Sequence, residues 1–132
     1  MIEKNLEHVA VASNTENDAD QFFIKLLGLY KIRSFTVSAD LTEKFFGISK
    51  ECKIIRYEKD LLSFEVFITD DTSKTRDIFT HSCILIDNRD EFTKRASSMG
   101  FETIKVPRKD GNGYYLFIKD FFHNLYEIKE IE

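Results

Sequence analysis

One pattern occurs twice in this chain, and it constrains the fold more than any other feature. A strand-like run opens on a histidine. A helix closed by glycine follows. The last of several further strand-like runs then holds a glutamate between an aromatic and a β-branched neighbour. In the first copy these are His8, Gly28 and Glu65; in the second, His81, Gly100 and Glu127. His8 to Gly28 spans 20 residues and His81 to Gly100 spans 19. His8 to Glu65 spans 57 and His81 to Glu127 spans 46, and the excess of 11 matches an amphipathic insertion over Ser38 to Ile48.

The local signals give each copy the order β-α-β-β-β. In the first, Thr15 and Asp18 stand at capping spacing before a helix. Ala19, Phe22, Phe23, Leu26 and Leu27 recur at helical period, and Gly28 is a stop. Strands are expected over Tyr30 to Val37, Cys52 to Glu58 and Leu61 to Ile68, with a helical turn in the insertion from Leu41 to Ile48. In the second, Asn88 and Glu91 start a helix with Phe92, Ala96 and Met99 on one face. Gly100 ends it, and strands are expected at Glu102 to Val106, Tyr114 to Lys119 and Leu125 to Ile131. The polar stretch Asp70 to Lys74 reads as the link between a first module, 1–70, and a second, 76–132, in one domain.

Alternation along a strand sets the faces. Glu65 shares a face with Ser63 and Phe67, opposite Phe64, Val66 and Ile68. Glu127 shares one with Leu125, His8 with Ala10 and Ala12, and His81 with Cys83 and Leu85. The expected fold is therefore α+β: two βαβββ modules forming a curved mixed sheet, a cup, with the helices on its outer face. A carboxylate among apolar neighbours is costly to bury unless paired or coordinated. Two imidazoles and two carboxylates on the concave side suit a divalent metal.

Composition narrows the partners. A net charge of -4 argues against a nucleic-acid binder, which would show a basic stripe. No apolar run approaches the ~20 residues that span a bilayer. The start, Met1 to Asn5, carries no leader pattern. Cys52 and Cys83 read as reduced thiols in a cytoplasmic protein, with no Cys-x-x-Cys spacing. Phe22 and Phe23 read as core, and His123 as a solvated turn residue.

The runs LEHVAVAS, QFFIKLLGLY, FEVFI, THSCILIDNRDEF and LFIKDFFHNLYEIKE resemble the vicinal oxygen chelate superfamily, which comprises glyoxalases, bleomycin-resistance proteins and extradiol dioxygenases. The resemblance covers essentially the whole chain. It implies metal ligands at His8, Glu65, His81 and Glu127, the two-histidine, two-glutamate pattern of glyoxalase I. Extradiol dioxygenases and fosfomycin-modifying members keep three ligands. The implied metal is Ni, Co, Zn or Mn. The implied activity is a lyase or isomerase of glyoxalase I type on a small substrate with vicinal oxygens. Glu127 or Glu65 would abstract the proton, and the metal would hold the enediolate. Ser63, Phe67, Cys83, Leu85 and Leu125 would line the pocket, with Phe45 and Phe46 at its rim. Arg33, Arg56, Lys105, Arg108 and Lys109 would be available to an anionic tail. Glutathione is doubtful as a cofactor: Val9 to Ser13 lacks the arginine that glyoxalase I uses for it, and Asp120-Phe121-Phe122-His123-Asn124 replaces the usual Pro- and Gly-containing turn. The alternatives are a non-catalytic drug- or metabolite-binding protein and an acyl-thioester epimerase. The resemblance further implies a homodimer.

Overall fold

The computed structural model describes residues 4–131; Met1 to Glu3, part of the run read as lacking a leader, and Glu132 lie outside the described residues. The chain divides into two compact units, Met1–Ser73 and Lys74–Glu132.

The first unit runs β1 (Val9–Ser13), α1 (Glu16–Ala19), β2 (Tyr30–Val37), α2 (Ala39–Phe46), β3 (Cys52–Lys59) and β4 (Leu62–Ile68). Its sheet has the order β1-β4-β3-β2. β1 lies parallel to β4, and the other neighbours are antiparallel. Thr15 caps α1 by accepting from the Asp18 amide at 3.1 Å. From Asp20 to Leu26 the helix continues in wider π turns. Phe22, Phe23 and Leu26 are buried there, and Phe23 meets Tyr57 and Phe64 of the sheet at 5.1 Å between ring centroids. Period-2 burial of Phe64, Val66 and Ile68 therefore marks the helix-covered face, and Glu65 and Phe67 take the other. The insertion forms α2, capped by Ser38 on the Leu41 amide at 3.3 Å and ended by Gly47 in the left-handed region at φ 76°.

The second unit repeats the plan with β5 (His81–Ile86), α3 (Arg89–Ser98), β6 (Glu102–Pro107), β7 (Tyr114–Lys119) and β8 (Leu125–Glu130), in the sheet order β5-β8-β7-β6. β5 is parallel to β8. Asn88 caps α3 by accepting from the Glu91 amide at 3.0 Å. Ala96, Phe101, Leu116, Ile118, Tyr126 and Ile128 form its core. Loop 108–113 joins β6 to β7 where α2 joins β2 to β3 in the first unit, and is closed by Arg108 N donating to the Gly113 carbonyl at 3.0 Å.

The turn before β8 works without Pro or Gly. Asp120 accepts from the Phe122 and Asn124 amides at 3.0 and 2.9 Å, and His123 takes the left-handed conformation at φ 69°. An L-residue pays about 1 kcal/mol there. His123→Gly is expected to raise stability by up to about 1 kcal/mol in urea unfolding, the relief of that strain being partly offset by the entropy of glycine. Equal or lower stability would show that His123 makes contacts outweighing the strain.

Candidate metal centre

Both sequence repeats bring their histidine against their glutamate. In the first unit His8 lies just before β1, and its Nε2 stands 3.4 Å from Glu65 Oε1. In the second, His81 opens β5, and its Nε2 stands 3.7 Å from Glu127 Oε1. Parallel pairing of first and last strand explains this. Ala10 registers with Glu65 and Cys83 with Glu127, so the histidine two residues upstream reaches the same carboxylate.

The other ring nitrogen is held in both cases. His8 Nδ1 donates to Glu7 Oε2. His81 Nδ1 donates to the Phe79 carbonyl at 2.8 Å. The Glu7 carboxyl is held below the usual carboxylate range, first by its hydrogen bond from Arg56 and then by that from His8, so it is an ionised acceptor. Each Nε2 thus faces a glutamate oxygen, a geometry completed either by a proton shared between them or by a metal cation bound to both. A carboxylate or carbonyl behind the ring is the usual support of a metal-bound histidine. Two ligand atoms bonded to one cation at about 2.0–2.2 Å stand roughly 3–3.5 Å apart. The first pair lies in that range and the second just outside it. Glu65 and Glu127 keep 15% and 20% side-chain exposure, so solvent-borne species reach both. Among the described residues, no three His, Cys, Asp or Glu side chains are gathered into a metal cage.

The pairs differ in their third neighbour. On β3, Arg56 registers with Glu65 and points its Nη1 at Glu65 Oε2, 3.4 Å away. Arg56 also donates to Glu7 and, at 3.1 Å, to Glu58, which accepts from Ser63 Oγ at 3.0 Å. Three carboxylates thus share one guanidinium, an excess of negative charge that favours a further cation. On β7, Phe117 registers with Glu127, and its ring meets His81 edge-on at 5.6 Å.

The expected pocket residues are spread more widely. Phe67 lines a cavity of about 520 Å³ together with Ala10, Ala12, Phe46, Ile48 and Cys52. Ser63 is engaged with Glu58, Leu125 is half-buried at the start of β8, and Leu85 is 60% exposed. Cys83 lies beside Glu127, and burial first and that carboxylate second push its thiol up, which keeps it protonated and inert. Arg33, Lys105 and Arg108 lie over the rings of Phe35, Tyr114 and Tyr115. Glu7, Ala10, Ala12, Ile48 and Cys52 are not among the site residues that the sequence leads one to expect. The small residues on the His8 face were the signal for Ala10 and Ala12; Glu7 gave none, because its role depends on Arg56 arriving from 49 positions away.

No protein-family profile matches this sequence, and no curated protein matches it. Solved structures match over nearly the whole chain. The fosfomycin resistance protein FosX of Listeria monocytogenes is 19% identical with a TM-score of 0.72, covering 99% of this chain and 96% of its own. A glyoxalase family protein of Enterococcus faecalis is 19% identical with a TM-score of 0.71, covering 97% and 98%. These likenesses show the fold, which the chain shares with FosX and glyoxalase family proteins. A mutant of the Listeria FosX, 18% identical with a TM-score of 0.71 over 96% of this chain and 90% of its own, was solved with Mn(II) and 1S,2S-dihydroxypropylphosphonic acid. Among the described residues, no helix of this chain is long and apolar enough to cross a membrane.

Proposed function

We propose that this vicinal-oxygen-chelate chain is a metal-dependent enzyme in which His8, Glu65, His81 and Glu127 hold one divalent cation and act on a small substrate with two adjacent oxygens. The observation that carries the reading is the pair of histidines, each locked at Nδ1 and each turning Nε2 to a glutamate oxygen. The donor set, two imidazoles and two carboxylates, suits Ni, Co, Zn or Mn. A cation bound there supplies Lewis acidity to a substrate oxygen and so acidifies the neighbouring C–H. The glutamates then divide the work. Arg56 anchors the second oxygen of Glu65, which suits a fixed ligand. Glu127 stands by Phe117 and is free to swing and carry a proton from one substrate carbon to its neighbour, as in a lyase or isomerase of glyoxalase I type. Each pair supplies two donors, so a full ligand set takes both modules, from one chain or from two copies. A homodimer belongs to this reading: the edge strand β2 leaves Tyr30 and Ile32 63% and 50% exposed.

The Mn(II) and diol phosphonate bound by the Listeria FosX favour a second reading, an enzyme that opens an epoxide such as fosfomycin. Phosphorus NMR of a fosfomycin incubation separates the two, because only the second reading yields a diol phosphonate or thiol adduct.

Metal content tests the site itself. Elemental mass spectrometry of purified protein is expected to find about one Ni, Co, Zn or Mn per four-donor set, lost in His8→Ala. No metal, and no uptake when Mn²⁺ or Ni²⁺ is added, would replace the enzyme with a sequestering protein of the same fold.

A further inference from the structure

The first module has a feature that the second lacks. α2 lies against the face of its own sheet that carries Glu65. Phe46 of α2 meets Phe67 of β4 edge to face, with centroids 5.4 Å apart. Between them and β1 lies the cavity of about 520 Å³, floored by the small side chains of Ala10 and Ala12 and walled by Phe46, Ile48, Cys52 and Phe67. That size suits a small organic molecule rather than a protein segment.

The slot continues the His8–Glu65 pair. Ala10 registers with Glu65 and Ala12 with Phe67, so one end of the floor lies beside the residue that carries the carboxylate, and the floor runs along the strands from there. Two residues of strand cover about 7 Å, the length of one aromatic ring with its linking atom. The polar groups at the rim are already engaged. Thr42 Oγ1 donates to the Ser38 carbonyl at 2.9 Å and Lys50 Nζ to the Thr69 carbonyl at 2.6 Å. Asp71 accepts from Thr69 Oγ1 at 2.7 Å and from the Ser73 amide at 3.0 Å. Lys50 keeps two further N–H donors, but the ionised Asp71 carboxylate beside it opposes an anionic tail, whereas an apolar tail meets the Ala, Ile and Phe side chains and only displaces water.

We propose that this slot binds a flat apolar tail, aryl or branched alkyl, carried by a substrate whose adjacent oxygens reach the His8–Glu65 pair. The substrate class is an aryl-substituted α-oxygenated carbonyl compound, not a small phosphonate. The head-group half of this inference rests on the proposed metal reading; the tail half does not.

Two hydroxamates share one chelating head and differ only in the tail. On Mn²⁺-loaded full-length protein, calorimetry is expected to give benzohydroxamate at least tenfold tighter binding than acetohydroxamate, and Ala12→Phe, which fills the slot, should bring the ratio close to one. A second arm needs no metal. In metal-free Cys83→Ser protein, 1-naphthol is expected to slow iodoacetamide alkylation of Cys52 several-fold. Equal hydroxamate affinities in the wild-type background, with no protection of Cys52, would overturn the slot. Protection of Cys52 in a protein that takes up no Mn²⁺ would keep the slot and remove the metal reading instead.

Discussion

Glu127→Gln is expected to lower kcat by about 10³-fold on any vicinal-oxygen substrate that the wild type turns over, while metal content stays near wild type. The amide keeps the size of the side chain and an oxygen for the cation, but it cannot accept a proton. Glu65→Gln should behave differently. It removes a negative charge from a group already balanced against Arg56, which approaches Glu65 Oε2 at 3.4 Å. The main expected loss is metal affinity, with kcat largely recovered at high Mn²⁺. Exchange of the substrate C–H in D₂O, followed by proton NMR, isolates the abstraction step and should vanish only in Glu127→Gln. Full metal and full activity in both variants would sink the four-residue assignment. Loss of exchange in Glu65→Gln alone would exchange the two roles. Activity unmeasurable in wild type, with unchanged binding of aryl ligands in both variants, is the behaviour of a binding protein.

The sequence carried the module plan because its punctuation is local. The Thr15 and Asn88 caps, the Gly28 and Gly100 stops, and the alternation in Phe64-Glu65-Val66 each depend on neighbours a few residues away, and the strands Tyr30–Val37 and Tyr114–Lys119 begin and end where the pattern does. The His–Glu pairing was legible too, since first and last strand of a repeat need only be neighbours for the two residues to meet. What stayed hidden needed distant partners. The widening of the helix over Asp20–Leu26 leaves its apolar spacing unchanged. The grip of Glu7 on His8 exists because Arg56 fixes that carboxylate from another strand. The slot over Ala10 and Ala12 depends on which face α2 covers, and an amphipathic octamer does not say which.

The second large effect is structural and concerns the turn that aims Glu127. Asp120 is 6% exposed, and its carboxylate accepts four hydrogen bonds: the Phe122 and Asn124 amides at Oδ1, and Asn124 Nδ2 and the Tyr126 hydroxyl at Oδ2, at 2.8 and 2.9 Å. This cluster closes the turn without Pro or Gly. Tyr126 is itself buried, and its phenol is pushed up by that burial and by Asp120, so it remains a hydrogen-bond donor. Asp120→Ala removes the acceptor of four hydrogen bonds from a buried turn, at a cost of about 3 kcal/mol or more, which for a chain of this size lowers Tm by roughly 10 °C. Because Tyr126 directly precedes Glu127, metal affinity should fall together with stability, whereas a change remote from β8 would lower Tm alone. The acid dependence gives a further check. Burial, the largest influence, raises the Asp120 carboxyl despite its hydrogen bonds. A carboxyl raised on folding favours the folded state when protonated, so its contribution is fully present below the unfolded range and is lost as pH rises through the folded value. Asp120→Asn lacks that titration. Its stability deficit relative to wild type should therefore widen as pH falls toward 4, and a deficit that narrows instead would mean that the hydrogen bonds, not burial, govern this carboxylate.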